Sequence, residues 1–243
     1  MNKAIDTGYA PEKWEFDDEV TRVFDNMLER SIPQYEEMRQ IVTRVGKIFI
    51  DDNSVVVDLG SSRGEQIARF VDDYDLLNSS AHYVGIEKSP PMLEAMRQRF
   101  KYNPFVHVVD HDLKTGLPAL AMDYSNAALV TSVLSLMFIP PTYRSRLLAD
   151  VYDCLVPEGA FIMVEKLTGQ GKLIDEVMVY IYQELKHQNG YSYEEIDRKC
   201  LSLEDVMVPE TAENHIKRLK EVGFREVDCF WRWQNFGAFI GVK

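Results

Sequence analysis

The 243-residue chain predicts an α/β fold: a doubly wound, mainly parallel seven-stranded sheet, with N-terminal helices and a helical insertion after strand 5. Three observations carry this reading. Strand-like apolar runs alternate with stretches of helical spacing, as βαβ units require. The first run, Val55-Val-Val-Asp-Leu59, is continuous and β-branched, which suits a strand buried on both faces of a parallel sheet, and it opens into a glycine-bearing turn. Two short strands, Glu226 to Trp231 and Gly237 to Val242, close the chain as a hairpin pair.

Phe16 to Arg30 and Tyr35 to Phe49 carry apolar residues at helical spacing, separated at Ser31-Ile32-Pro33, because proline cannot continue a helix. They precede the first strand. Gly64 to Tyr74 is the first crossover helix, and Ala81 to Ile86 the second strand, ending at Glu87. Pro90 to Phe100 is a helix with Ser89 as its N-cap and proline in its first turn. Phe105 to Val109 and Ala127 to Ser132 are the third and fourth strands, and Thr142 to Cys154 the helix that follows. Leu155 to Gly159 is a turn entering the fifth strand, Ala160 to Glu165. Lys172 to Leu203 is a long helical insertion without strand character, and Ile216 to Val222 a helix stopped by Gly223. This divides the chain into an N-terminal helical cap (1–50), a ligand-binding core (51–167), an insertion or lid (168–214) and a C-terminal unit completing the sheet (215–243). On the insertion, Ile174, Val177, Met178, Ile181, Tyr182 and Leu185 share one helical face, suited to core packing or to a second copy of the chain.

Ligands in open α/β sheets bind beyond the carboxyl ends of the strands, where glycines let backbone approach them closely. Here Asp58-Leu-Gly60-Ser61-Ser62-Arg63-Gly64 has one glycine fewer than the dinucleotide fingerprint and an acid at the strand end, so a nucleoside ligand fits better than a pyrophosphate. Glu87 supplies a carboxylate able to accept from both hydroxyls of a ribose.

Acids outnumber bases, 39 Asp plus Glu against 27 Lys plus Arg, for a formal net charge of −12. The basic footprint of a direct nucleic-acid binder is missing, which leaves a small-molecule substrate. Cys154, Cys200 and Cys229 are odd in number and lack Cys-x-x-Cys spacing; reduced thiols in a cytoplasmic protein, each a small buried hydrophobe, account for them. No apolar run is long enough for a membrane span, Met1 to Lys13 hold no apolar signal core, and no metal-ligand spacing is present.

The D-x-G-x-x-x-G turn resembles motif I of the class I S-adenosylmethionine-dependent methyltransferases, a Rossmann-like fold, with Asp58, Gly60 and Gly64 as its marked positions. Asp110-His111-Asp112-Leu113 resembles that superfamily's position where an acid meets the adenine amino group and the next residue packs on the ring, and Leu155-Val-Pro-Glu-Gly159 resembles its L-x-P-G-G turn, with Glu158 in place of a glycine. Almost end to end, the chain is similar to the carboxy-S-adenosylmethionine synthases, which use prephenate to carboxylate S-adenosylmethionine for tRNA wobble-uridine modification. This rests on Trp14-Glu-Phe-Asp17, Glu29-Arg-Ser-Ile-Pro33 with Tyr35, Asp58-Leu-Gly60, Ser89-Pro90 with Met92, Asn189-Gly-Tyr-Ser192, Leu203-Glu-Asp-Val-Met207 and Asn235-Phe-Gly237.

The resemblance implies S-adenosyl-L-methionine as cofactor, with S-adenosylhomocysteine as the product of methyl transfer; the apolar face of the insertion gives the expectation of a homodimer. It implies that Tyr35 contacts the cofactor's amino-acid end, that Gly60, Ser61 and Ser62 line its methionine moiety, that Glu87 takes the ribose where the family has Asp, and that Lys88, Asp112 and Leu113 border the adenosine. Ser132 falls where the family carries asparagine. Cys200, in Asp197-Arg-Lys-Cys200, falls where the family places an arginine that binds the cofactor's carboxylate.

A guanidinium holds a carboxylate through two charge-assisted hydrogen bonds and a thiol does not; a charge left buried and unpaired costs about 2 to 5 kcal/mol. Arg198 and Lys199 are the neighbouring cations, about 100° away per residue around a helix. The substitution therefore favours an ordinary methyltransferase acting on a small-molecule acceptor over carboxy-S-adenosylmethionine synthesis, with a non-catalytic S-adenosylmethionine-binding protein as a third reading. Candidate bases are His111, at a strand end, and His187, in the insertion beside Tyr191, a further substrate-side candidate; both histidines also suit purely structural or solvated positions.

Overall fold

The computed structural model describes residues 13–73, 80–118 and 126–243. In chain order the elements are α1 (Asp18–Ser31), α2 (Tyr35–Gly46), β1 (Val55–Leu59), α3 (Glu65–Val71), β2 (His82–Glu87), α4 (Pro90–Phe100), β3 (Val106–Asp110), β4 (Ala127–Val133), α5 (Pro141–Cys154), β5 (Leu155–Lys166), α6 (Lys172–Gln188), α7 (Tyr193–Leu203), α8 (Ala212–Val222), β6 (Glu226–Trp233) and β7 (Phe236–Val242). The sheet order is β3-β2-β1-β4-β5-β7-β6, with β7 alone antiparallel to its two neighbours. The predicted doubly wound, mainly parallel seven-stranded sheet is the one observed.

All five residues of β1 are buried, and apolar clusters cover both faces of the sheet. The order reverses between β1 and β4, so the carboxyl ends of β1, β2 and β4 diverge around a crevice. Side-chain chemistry sets several boundaries. Asp17 caps α1 by accepting from Val20 N at 2.8 Å, so Phe16 lies outside the predicted helix and packs instead against Trp14, Phe24 and Phe138. After Gly46, α2 tightens into a 3-10 turn over Lys47–Phe49. The first crossover helix ends at Val71; the predicted end at Tyr74 lies outside the described residues, as do Met1 to Pro11 and Glu12.

One expectation is corrected and one is refined. Leu155 to Gly159 is not a turn before β5 but a bulge within it: Ala127 pairs with Leu155 and Leu129 with Ala160, leaving the intervening residues looped out. Glu158 takes a φ of 65° there, a conformation that favours glycine, and its carboxylate pairs with Arg225. The insertion is two helices, broken where Gly190 adopts a φ of 91° and restarted by a reciprocal capping box between Ser192 and Glu195. Its apolar face divides: Tyr182 is buried in the core, whereas Ile174, Val177 and Ile181 are exposed, so core packing does not account for them.

Candidate functional site

A cavity of about 1120 Å³ opens at the carboxyl ends of the strands. One part is built from strand ends and backbone. β1 delivers Asp58, whose Oδ1 accepts from Thr131 Oγ1 at 2.6 Å, and the chain then turns through Gly60 at a φ of 64°. A Cβ on Gly60 would stand 1.8 Å from Ser135 Oγ, so only glycine leaves this cradle open. Ser61 ties the turn down, donating from N to Ile86 O at 3.0 Å and from Oγ to Asp58 O at 2.7 Å.

Glu87 ends β2. Its Oε1 accepts from Lys88 N at 2.8 Å and Ser89 N at 2.9 Å, and its Oε2 from Ser62 N at 2.9 Å. These bonds lock the carboxylate at the cavity wall and leave acceptor capacity chiefly on Oε2. Asp112, after β3, caps the following turn through Lys114 N at 3.0 Å and faces Lys88 Nζ at 3.4 Å. Burial pushes its carboxyl up, but the Lys114 N–H and the Lys88 ammonium outweigh that and hold it below the usual range. Burial likewise drives Asp58 to about 6, against Thr131, Arg39 and Ser61.

Of the predicted residues, Asp58, Gly60, Ser61, Ser62, Glu87, Lys88, His111, Asp112, Leu113, Lys199 and Cys200 line this one cavity. Others do not. Tyr35 stands behind the wall, where its hydroxyl accepts from Arg39 Nε at 3.0 Å; Arg39, also bonded to Gln66, is the side chain that reaches the cavity. Gly64 sits against Phe100 and Met96, and Ser132 is buried within β4. Arg198 points to solvent with its Nε toward Glu194 O, away from this cavity. Tyr191 is packed beneath Arg30, its hydroxyl 3.1 Å from Ser31 Oγ. His187 bonds Tyr191 O at 2.9 Å and stacks on Tyr193, away from the cavity, so the fold removes it as a base. The ring of His111 is engaged by Gly116 O and Thr115 Oγ1, both at 3.0 Å, as a turn-fixing group would be. Cys200 is exposed at the cavity's edge rather than a buried hydrophobe.

On the other wall sequence reasoning named Lys199, and Lys166 at the end of strand 5, but missed Lys186. Lys166, at the end of β5, and Lys186, on α6, each place Nζ over the ring of Tyr182, at 4.8 and 4.5 Å from its centroid. Lys199, on α7, lies 5.2 Å from the Trp14 ring. All three line the cavity, and Lys186 and Lys199 are only 4% and 7% exposed, so their charges belong to the interior. Arg39 had one signal, its i,i+4 relation to Tyr35; Lys186 had none in the linear pattern.

A strap and a brace close the site. Trp14 N donates to Ser202 O at 2.9 Å and Ser89 Oγ to Phe16 O at 2.5 Å, drawing the segment before α1 between α4 and α7. Arg144, fully buried on α5, donates to Ile139 O at 2.7 Å, Val208 O at 2.6 Å and Glu210 Oε2 at 2.6 Å, joining the loop after β4 to the return from the insertion. Burial raises Glu210, but the bonds from Arg218 and Arg144 outweigh it and bring the carboxyl to about 2. Glu165, completely buried, is pushed up to about 8 and accepts from Leu136 N at 2.9 Å.

Among the described residues no helix is long and apolar enough to cross a membrane.

The glycine cradle, the acid at the end of β2 and the acid after β3, on this strand order, define an S-adenosylmethionine-binding protein of the methyltransferase fold. Residues 56–159 match a methyltransferase domain. The Haloferax volcanii putative methyltransferase complexed with the Trm112 activator superposes with a TM-score of 0.63 at 14% identity, covering 94% of this chain and 99% of that one. Human N-acetylserotonin methyltransferase, solved with S-adenosylmethionine, gives 0.56 at 16% identity, over 96% of this chain and 63% of its own. The chain is 34% identical to the carboxy-S-adenosyl-L-methionine synthase of Nautilia profundicola, over 100% of this chain and 98% of the relative, and 33% identical to that of Staphylococcus epidermidis, over 97% and 99%. It belongs to the carboxy-S-adenosyl-L-methionine synthase family.

Proposed function

We propose that this chain carboxylates S-adenosylmethionine, using a small carboxylate donor such as prephenate. The observation that carries the reading is the trio of lysines in the cavity wall, which answers the objection raised by Cys200. A thiol does not supply the paired hydrogen bonds of a guanidinium, but three ammonium groups line the same cavity and give it positive charge, as points rather than as a planar fork. Full-length similarity to proteins named carboxy-S-adenosyl-L-methionine synthase supports it independently.

Bound S-adenosylmethionine supplies a methyl group activated by positive sulfur. The protein's part is then positioning: Gly60 and Ser61 open and fix the cradle, Glu87 and Asp112 orient the nucleoside, and Arg39 offers a buried cation beside Asp58. In the net reaction one C–H bond of the methyl group is replaced by a C–C bond to a carboxyl carbon; the donor's own bond to that carbon breaks, its electron pair aromatises the prephenate ring with loss of the ring hydroxyl as hydroxide, and the methyl proton and that hydroxide leave as water.

A second reading, methyl transfer to a small-molecule acceptor, is favoured by one observation, Cys200 where the resemblance implies arginine. Mass spectrometry of S-adenosylmethionine incubated with the protein, with and without prephenate, tests both. A sulfonium species heavier by one carboxyl group, formed only with prephenate, is the expected result. S-adenosylhomocysteine instead favours methyl transfer.

A further inference from the structure

Arg39 is an interior cation without a counter-charge at ion-pair distance. It stands one turn into α2, is only 6% exposed, and lines the cavity. Its Nε donates to the Tyr35 hydroxyl at 3.0 Å and its Nη1 to Gln66 Oε1 at 3.2 Å. Gln66, buried on α3, donates from Nε2 to Thr43 Oγ1 at 3.1 Å, and Thr43 Oγ1 donates back to Arg39 O at 2.9 Å, which closes a ring of hydrogen bonds between the two helices. The guanidinium is therefore held in place before any ligand arrives. A guanidinium has five N–H donors, and tyrosine and glutamine engage only Nε and Nη1; among the described residues Nη2 has no acceptor and no carboxylate reaches ion-pair distance. The charges of Glu65 and Asp58 act on Arg39 from further off, but Glu65 is paired with Arg99 at 3.3 Å and Asp58 Oδ1 with Thr131.

The neighbours of Arg39 narrow the anion it suits. Asp58 and the Gly60–Ser61 turn line the same cavity, so the cation has an acid nearby and an open backbone cradle beside that acid. A lone cation attracts any anion; a cation accompanied by an acid complements a carboxylate that carries its own ammonium group, as an α-amino acid does. We propose that the free N–H donors of Arg39 bind the carboxylate at the amino-acid end of the cofactor, and that this contact makes the cavity select an adenosyl amino acid over the corresponding adenosyl amine. The proposal rests on the cofactor reading above and names the side chain that reads one end of that ligand. Tyr35, for which the resemblance implies contact with that end, acts through Arg39 as a positioning residue, by holding Nε.

Calorimetric titration with S-adenosylmethionine and with its decarboxylated analogue, which keeps the nucleoside, the sulfonium and the ammonium group, tests this. The expected result is that wild type binds S-adenosylmethionine at least tenfold more tightly than the analogue. Arg39→Met should bring the two affinities within about twofold of each other by weakening S-adenosylmethionine alone, and analogue binding near its wild-type value shows that the variant is folded. Arg39→Lys, which keeps a point charge but not the fork, should leave a reduced preference, and reads the claim where the methionine variant does not fold. A wild type without the preference, an Arg39→Met variant that weakens both ligands alike or neither, or an Arg39→Lys variant that keeps the full preference overturns the role of Arg39 and leaves the cofactor reading standing. A wild type that binds neither ligand overturns the cofactor reading and this role with it.

Discussion

The two parts of the cavity are built by different means. The strand-end part is built from backbone, a glycine turn and carboxylates pinned by N–H groups, so its shape follows from the sheet. The insertion side is built from long side chains of β5, α6 and α7, and its shape depends on how two helices settle over the sheet. The first is set by backbone geometry; the second is set by where long side chains carry their charge.

The largest expected effect comes from separating the two parts. Glu210 holds Arg144 and Arg218, and Arg144 bonds both the loop after β4 and the return from the insertion. Glu210→Gln should cost about 3 to 5 kcal/mol at pH 7, because the fully buried Arg144 loses its counter-charge. The folded carboxyl, at about 2, lies below its ordinary 4.5, so its contribution is complete above pH 4.5 and is lost as pH falls through 2. Denaturant unfolding across that range should show the gap between wild type and variant closing as pH drops.

Next comes the cradle. Gly60→Ala places a Cβ where Ser135 already stands and forces a left-handed backbone on alanine, at about 1 to 3 kcal/mol. S-adenosylhomocysteine affinity measured by calorimetry should fall about tenfold to a hundredfold. Glu87→Gln exchanges one of two acceptor oxygens for a donor that faces backbone N–H groups; a smaller weakening, about 1 to 2 kcal/mol, should appear in the same titration. The smallest effect sharpens the contrast: Lys186→Met should leave S-adenosylhomocysteine affinity within about twofold, since a change on the charge-built side does not reshape the cradle.

Legibility in the sequence followed the same division. β-branched runs, the Gly60 turn, Glu87 and Asp112 were readable because strand ends and turns impose local residue requirements. Tyr35 pointed to the right helix but the wrong side chain, since an i,i+4 partner, Arg39, occupies the space ahead of it. Lys186 reads in sequence as a solvated helix residue; only the tertiary placement of α6 turns it inward over Tyr182. His187, one residue on, turns away for the same reason. Leu155 to Gly159 was legible as irregular backbone, but pairing of Leu155 with Ala127, a long-range contact, makes it a bulge rather than a boundary.

The most direct measurement follows the fate of the methyl hydrogens in S-adenosylmethionine deuterated at all three methyl positions and incubated with the protein and prephenate. Carboxylation predicts a sulfonium product that carries the added carboxyl group and retains two of the three deuteriums. Recovery of S-adenosylhomocysteine together with an acceptor carrying all three contradicts it.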